Sequence, residues 1–192
     1  MDWDGDKLYY ANGVSEQFKQ QFAATIKFMN SKGTSGDIAK LHASEKVYYI
    51  AEAESTGGNR FVADSKGAKT IYWDPNHIME TGEGMQISPT TILAHEADHA
   101  QRYDAAQSDA AVKASRNADI KPGSDAQYGT AEERRVIEGK EQDAARKHGE
   151  IRHDQVTRRT HKEKKIIWIP TGGAEPSKIS DAVFLHNDIF RY

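Results

Sequence analysis

Hydrophobic residues in the first part of the chain follow a helical spacing. Between residues 15 and 33 they recur every three or four positions, at Phe18, Phe22, Ile26 and Met29. This spacing is typical of one face of an α-helix, and Ser15 in front of it is a favoured N-cap residue. We therefore predict a helix that is ended by Gly33 and Gly36, followed by a short helical turn in the sequence DIAKLHA.

Stretches of β-branched and aromatic residues predict strands. These stretches are KVYYIAE at 46–52, RFVAD at 60–64, KTIYWD at 69–74 and KKIIWIP at 164–170. The sequence STGGN between the first two predicts a hairpin that joins them, and Pro75 ends the third. Residues 75–87 contain glycines and are predicted to form a loop. The first three strands therefore predict a small sheet.

Two longer stretches in the second half predict helices. The sequence SPTTILAHEADHAQRYD begins with Ser88 as an N-cap and with Pro89 at the first helical position, where a missing N–H costs nothing. The sequence TAEERRVIEGKEQDAARKHGE, which begins at Thr130, has the spacing of a second helix. Strands and helices together predict an α+β fold. A chain of 192 residues is the size of one globular domain, which we expect to span residues 1–192.

Composition limits the classes of partner. A hydrophobic fraction of 37% and a formal net charge of −3 argue against a disordered tail and against a basic nucleic-acid-binding domain. No apolar run approaches the length of a membrane span, and the opening MDWDGDKLYY lacks the basic and apolar regions of a signal peptide. We therefore expect a soluble monomer without its own signal peptide, and neither nucleic acid nor a membrane as its partner.

The segment His95-Glu96-x-x-His99 in the first of these two helices is the strongest chemical signal. Four helical residues rise about 6 Å and turn roughly 40° beyond one full turn, so the two imidazoles project side by side and can share an ion. The chain contains no cysteine, so a metal must bind to His, Asp or Glu, and Zn²⁺ suits such ligands. Glu96 would then be the catalytic general base for hydrolysis of an amide. The alternative is a surface helix that carries two histidines by chance.

The third ligand distinguishes the classes of zinc protease. A metzincin would have glycine at 102 and histidine at 105, but Arg102 and Ala105 occupy these positions, which excludes that class. Glu132 and Glu133 at the start of the next helix are candidates, and adjacent helical residues point about 100° apart, so only one can face the ion. We choose Glu133 and expect the other glutamate to hold a ligand histidine or the substrate. Acidic residues in a first turn also simply favour the helix dipole.

These segments resemble a known family. TIYWDPN, SPTTILAHEADHA and EERRVIEG are similar to segments of the NleD-like zinc metallopeptidases of secreted bacterial effectors. The strand, the His-Glu-x-x-His helix and the Glu-Glu-x-Arg segment also resemble clostridial neurotoxin light chains. The resemblance covers roughly residues 35–155. It implies a zincin fold in which a small mixed sheet packs on the His-Glu-x-x-His helix and a second helix bears a ligand. The residues it assigns are His95, His99 and Glu133 as zinc ligands, Glu96 as base, Arg135 as the arginine of Glu-Glu-x-Arg, and Arg152 as a second, catalytic arginine.

The opening sequence MDWDGD resembles the stretch that follows the core of Bacteroidetes-type Rhs proteins. This resemblance implies the C-terminal toxin domain of a longer polypeptide, secreted or delivered into a target cell. The expected activity is a zinc-dependent endopeptidase that hydrolyses a peptide bond in a target-cell protein. The expected partners are that protein and a cognate immunity protein that neutralises the toxin.

Two alternatives stay open. The sequence GSDAQYG resembles the third-ligand segment of aspzincins, which would make Asp125 the ligand and Tyr128 an oxyanion donor; the same residues also suit a turn before a helix. The other alternative is a non-catalytic interaction domain that zinc only stabilises.

Further expectations concern the surroundings of the motif. Asp98 and Arg102 are one helical turn apart and are expected to form an ion pair. The basic run RRTHKEKK at 158–165 is expected to be a solvated linker, and the remaining histidines, His161 among them, are expected at the surface. The strand TIYWD is expected at a sheet edge, where it could pair with an extended substrate.

Overall fold

The computed structural model describes residues 8–53, 58–64, 67–168 and 175–188. Its helices are α1 (Glu16–Lys32), α2 (Gly36–Ala43), α3 (Pro89–Ala105), α4 (Ala110–Asp119), α5 (Ala131–Val136), α6 (Gln142–His148) and α7 (Pro176–Asn187), with a π-helical segment, Ile137–Glu141, between α5 and α6. Its strands are β1 (Leu8–Tyr10), β2 (Tyr48–Glu52), β3 (Arg60–Ala63), β4 (Lys69–Trp73), β5 (His77–Thr81), β6 (Gln86–Ile87) and β7 (Glu163–Trp168). The predicted α+β class is confirmed.

Four strands form a mixed sheet in the order β1-β2-β4-β3. Strands β1 and β4 pair with β2 in parallel, and β3 is antiparallel to β4. The predicted hairpin between β2 and β3 is therefore wrong, because β4 lies between them; residues 55–57 of the predicted turn lie outside the described residues. Strand β3 instead turns back into β4, where the Asp64 N–H donates to the Ala68 carbonyl over 2.9 Å. Local sequence indicates that a strand forms but not which strand it pairs with.

A second, antiparallel sheet has the order β6-β5-β7. Strands β5 and β6 lie within residues 75–87, so the loop predicted there is wrong. His77, Ile78 and Met79 of β5 are all buried, which removes the alternation by which a strand is recognised, and its partner β7 is distant in sequence. The strand predicted at 164–170 is confirmed as β7 as far as Trp168; residues 169 and 170 lie outside the described residues.

Side chains of α1, α3 and the four-stranded sheet share one hydrophobic core. The predicted apolar face of α1 is confirmed, since its members are all buried: Phe18, Phe22, Ile26 and Met29. Ser15 caps this helix by accepting a hydrogen bond from the Phe18 N–H over 3.1 Å. Trp73 of β4 is fully buried and donates from Nε1 to the Pro89 carbonyl over 2.7 Å. This bond connects the sheet to the first turn of α3 and so helps to position the helix that bears the motif.

The position of β4 corrects one further expectation. TIYWD belongs to β4, which is an interior strand, so the edge beside the motif helix is formed by β3 instead. The predicted start of α3 is confirmed, because Ser88 Oγ accepts a hydrogen bond from the Thr91 N–H and Pro89 is the first helical residue. No helix in the described ranges is both long and apolar enough to span a membrane.

Candidate metal centre

Three side chains from two helices converge at one point. His95 and His99 lie one turn apart on α3, and their Nε2 atoms are 3.1 Å apart. Glu133 of α5 faces both, with Oε2 at 3.4 Å from His95 Nε2 and Oε1 at 3.3 Å from His99 Nε2. One potential ligand atom from each residue lies within 4.8 Å of the others. The predicted set His95, His99 and Glu133 is thus brought together and could hold a metal ion.

The start of α5 determines which of the two adjacent glutamates enters this cluster. Thr130 caps the helix by accepting a hydrogen bond from the Glu133 N–H over 3.1 Å. The Glu133 carboxylate then faces the two Nε2 atoms, while Glu132 Oε1 lies 3.1 Å from His99 Nδ1. Glu132 also accepts hydrogen bonds from Arg102 and Arg135. The expected division holds: one glutamate joins the cluster and the other orients a histidine of that cluster.

His95 is oriented in the same way by a residue that sequence reasoning missed. Its Nδ1 lies 2.8 Å from Oε2 of Glu141, which is fully buried. Glu141 accepts in turn from two nitrogens of Arg158, at 2.6 and 3.1 Å. Arg158 is buried, so the basic run that begins there is not simply a solvated linker. No local pattern marks either residue, because Glu141 and Arg158 meet only in the folded chain.

The π-helical segment explains why Glu133 and Glu141 both reach His95. Eight residues of an α-helix at about 100° each would rotate the second glutamate roughly 80° away from the first. A π-helical turn takes up about one more residue than an α-helical turn, which removes most of this offset. Ile137–Glu141 is such a segment, and Glu141 is its last residue. The irregularity therefore places two carboxylates on opposite nitrogens of one imidazole.

The proton positions in the cluster favour a cation at its centre. Each histidine turns Nδ1 toward a carboxylate, so in its neutral form Nδ1 carries the proton and Nε2 carries a lone pair. The two Nε2 lone pairs then face each other and the Glu133 carboxylate, whose buried Oε2 accepts no hydrogen bond from the described residues. Three acceptors that converge in this way need a proton or a metal ion between them. The residues present therefore fit a metal.

Electrostatics of the centre agree with this. Burial lowers the pKa of His95, but the carboxylates of Glu133 and Glu141 beside its ring outweigh burial and hold the pKa above its usual value. The pKa of His99 is raised in the same way, chiefly by Glu133. Burial raises the pKa of Glu133, yet the two histidines hold it far below its usual range. The pKa of Glu141 falls to about 2 because Arg158 and His95 outweigh burial. Carboxylate charge thus makes this centre attractive to cations.

Glu96 lies beside the cluster and is not a member of it. Its Oε2 accepts a hydrogen bond from the Phe61 N–H of the edge strand β3 over 2.8 Å. Glu96 and the three residues of the cluster line the same open cleft, which has a volume of about 310 Å³. This is the arrangement that a general base needs, with a carboxylate held at the wall of a solvent-filled cleft next to the cation site.

His161 lies at the surface, as expected, but it also lines the same cleft. Its Nε2 is 3.3 Å from Oε2 of Glu133, and its ring also lines a smaller pocket of about 90 Å³ that adjoins His95 and Glu96. The His161 side chain is 55% exposed, so a molecule in the cleft can contact it. The sequence offered no spacing signal for this residue.

The structure does not bring Arg152 to the centre. Its guanidinium pairs with Asp188, its backbone N–H donates to Gln155 over 2.8 Å, and it does not line the cleft. Arg152 lies at the chain position where the resemblance expects a catalytic arginine. In the structure this position is in the loop after α6, away from the metal centre.

Asp125 also lies outside the cluster. Its carboxylate accepts hydrogen bonds from the N–H groups of Gln127 and Tyr128 and from Arg134, and the two N–H bonds and Arg134 hold its pKa below the usual value. These contacts are those of the turn that was the alternative to a ligand role. The structure therefore gives no support to an aspzincin-like centre.

The expected ion pair between Asp98 and Arg102 is wrong. Asp98 Oδ2 accepts from Arg135 over 2.5 Å, and Arg102 binds Glu132 and Asp119 instead. Arg135, the arginine of the Glu-Glu-x-Arg segment, thus bridges α5 to α3, because it contacts Asp98 and Glu132 together. This network holds the two helices that supply the cluster.

Comparisons with known proteins add no relative. A scan against protein-family models finds no match for the chain, and searches of curated proteins and of solved structures find none either. The family resemblance of the motifs therefore stays a prediction, and the geometry of the centre is the basis on which a function can be assigned.

Proposed function

We propose that this chain is a zinc-dependent endopeptidase. The observation that carries the proposal is the convergence of His95, His99 and Glu133 to within 4.8 Å beside a carboxylate, Glu96, that is left out of the cluster. Two imidazoles and one carboxylate form a donor set found in catalytic zinc sites, which keep a further position for water or substrate. A structural zinc site would more often be closed by a fourth protein ligand.

The residues of the cleft suit hydrolysis of an amide. His95, His99 and Glu133 would hold the ion, which supplies Lewis acidity to water and to the substrate carbonyl when bound. Glu96 takes the proton from the attacking water and passes it to the leaving amine. The Phe61 N–H fixes one oxygen of this carboxylate, which reduces its freedom to turn away. His161, which is partly exposed in the cleft, is placed to donate a hydrogen bond to the carbonyl oxygen.

Strand β3 supports a polypeptide as the substrate. It is one of the two edge strands of the four-stranded sheet, and its Phe61 N–H points away from β4 toward Glu96. An extended chain that paired with this edge would pass directly along the carboxylate that acts as base. This is the reason for preferring a peptide bond to a small-molecule amide.

We further propose that the chain acts as a secreted or delivered bacterial effector or toxin domain on a protein of a target cell. Support for this part comes from the resemblance of its motifs to NleD-like effectors and of MDWDGD to the segment that follows Rhs cores. An immunity protein is the expected partner in the producing cell. Production of the chain in a recipient cytosol is then expected to arrest growth, and Glu96→Gln is expected to abolish the arrest.

The proposal is tested by measuring zinc content and proteolysis on the same samples. Wild-type protein is expected to contain about one zinc per chain and to cleave peptides in a proteome-derived library. Glu96→Gln keeps the three ligands, so it is expected to keep the zinc and to lose cleavage by about a hundredfold or more. Zinc retained with no cleavage by the wild type would instead indicate an interaction domain stabilised by zinc. Absence of zinc after incubation with the metal would overturn the proposal.

A further inference from the structure

The charged side chains that line the cleft indicate which class of substrate it binds. Two arginines line the same cleft as the metal cluster, Arg60 at the start of β3 and Arg116 on α4. The carboxylates that line it are Glu96, Glu132 and Glu133. Glu132 is bound by Arg102 and Arg135, and a divalent cation would balance Glu96 and Glu133. Arg60 donates to the Gly58 carbonyl and lies over the Tyr72 ring, whereas the buried Nε of Arg116 has no partner among the described residues.

Polar contacts rather than burial hold α4 in place. No residue of this helix is buried. Arg102 of α3 binds it twice, through Ser115 Oγ at 2.9 Å and through Asp119 Oδ2 at 2.5 Å. These two bonds turn the side of α4 that bears Arg116 toward the cleft.

Among the described residues, Arg116 has no carboxylate partner for its charge. Its guanidinium lies over the Tyr103 ring at 5.0 Å, and no ion pair joins it to a carboxylate within the described ranges. Its buried Nε has no hydrogen-bond partner among those residues. Burial lowers the pKa of this guanidinium, as expected for a cation without a counterion. The nearby carboxylates of Asp119 and Glu132 both accept from Arg102.

An unpaired arginine at the wall of a cleft is costly unless a ligand completes its contacts. The guanidinium is already held against the Tyr103 ring, so less freedom is lost when the group binds a planar carboxylate. Ile120 follows Arg116 by one helical turn, lines the same cleft and is 40% exposed, which adds an apolar surface beside the cation. Charge and shape therefore suit a carboxylate on a short aliphatic stem.

We propose that Arg116 is a specificity-determining residue that binds an aspartate or glutamate side chain of the polypeptide substrate, close to the scissile bond. This inference rests on the proposed peptidase function and names its substrate class. Arg116 selects the substrate and takes no part in the transfer of protons at Glu96.

The test compares cleavage profiles on a proteome-derived peptide library. Zinc-loaded wild type is expected to enrich Asp or Glu at one position near the cleaved bond, and Arg116→Glu is expected to lower this enrichment by about tenfold or more and to favour Lys or Arg there. Arg116→Gln is expected to abolish the preference without reversing it. Lys113→Glu is the matched control, since it makes the same charge change on an exposed residue of the same helix that does not line the cleft. An unchanged profile in Arg116→Glu would overturn the inference.

A binding measurement separates failure of this inference from failure of the proposed function. Glu96→Gln protein, zinc-loaded, is applied to an array of peptide pairs that differ only by Glu or Gln. Preference for the acidic member, lost in the double variant Glu96→Gln/Arg116→Glu and kept in Glu96→Gln/Lys113→Glu, supports the role of Arg116 even if wild type cleaves nothing. Cleavage by wild type with no acidic preference in either assay leaves the peptidase intact and rules out the role of Arg116.

Discussion

His95 Nδ1 lies 2.8 Å from Glu141 Oε2, and the same carboxylate is held by Arg158. The contact fixes both the ring orientation and the tautomer that leaves Nε2 available to a metal. Glu141→Gln is expected to weaken zinc binding by about 10-fold to 100-fold, because the amide is a poorer acceptor for His95 Nδ1 and removes the negative charge that Arg158 contacts. Competition with a chromophoric chelator measures this affinity.

Glu138→Gln is the control for that experiment. Glu138 belongs to the same π-helical segment but is exposed and pairs only with the exposed Arg134 among the described ion pairs. Its replacement is expected to leave zinc affinity unchanged. If Glu141→Gln bound zinc as tightly as the control, Glu141 would have no part in orienting His95.

Glu133 rather than Glu132 or Asp125 is expected to be the third ligand. Glu133→Ala is expected to lower the zinc content after dialysis from about one ion per chain to a small fraction of that. Glu132→Ala is expected to retain zinc with lower affinity, since its carboxylate contacts His99 Nδ1 and not the Nε2 cluster. Asp125→Ala is expected to bind as wild type, because Asp125 closes a turn. Metal analysis decides among them, and loss of zinc in Asp125→Ala alone would support the aspzincin-like alternative.

The part of the centre that could be predicted is the part encoded within single helices. His95, Glu96 and His99 follow from helical spacing, and the angle between neighbouring helical residues indicates that only one of Glu132 and Glu133 faces the ion. The choice of Glu133 agreed with the family resemblance. Glu141, Arg158 and His161 could not be found in this way, because each reaches the centre through packing of distant segments. Their positions depend on the π-helical segment and on the loop before β7.

The fold shows the same limit. The buried face of α1 is encoded by local periodicity, so it was predicted correctly. The partner of β2 is β4 rather than β3, and β5 pairs with β7, and neither pairing leaves a trace in local sequence. Arg152 shows the same limit. Its distance along the chain from the motif suggested a catalytic role, but its ion pair with Asp188 holds it away from the metal centre.

Trp73→Phe is expected to destabilise the protein by removing one buried hydrogen bond. Trp73 Nε1 donates to the Pro89 carbonyl in the core, and phenylalanine leaves that carbonyl without this donor and leaves space beside it. We expect the free energy of unfolding to fall by about 1–3 kcal/mol. Urea denaturation measures the change, and Tyr72→Phe, at the next and half-buried position, is the control expected to change it little. Equal stability of the two variants would show that this bond does not help to hold α3 on the sheet.

Asp104 provides a pH-dependent link between the end of α3 and the segment around β2. Its Oδ1 accepts from Tyr48 Oη at 2.7 Å, Ser44 Oγ at 2.8 Å and Lys46 Nζ at 3.3 Å. Burial raises the pKa of Asp104, but the hydrogen bonds from Tyr48, Ser44 and Lys46 outweigh it and hold the pKa below its usual value. A carboxyl whose pKa is lower in the folded than in the unfolded chain stabilises the fold only while it is ionised.

The stabilisation by Asp104 is therefore expected to be complete above the unfolded pKa of about 3.9 and to disappear as the pH falls through the lower folded value. Asp104→Asn is expected to cost about 1 kcal/mol at pH 7, a value reduced for the partial exposure of the carboxylate, and progressively less below pH of about 4. Urea denaturation of wild type and variant across this range measures the difference. Asp143→Asn, in an exposed ion pair with Lys147, is the control and should cost little at any pH. A cost for Asp104→Asn that stayed constant with pH would mean that its charge does not stabilise the link.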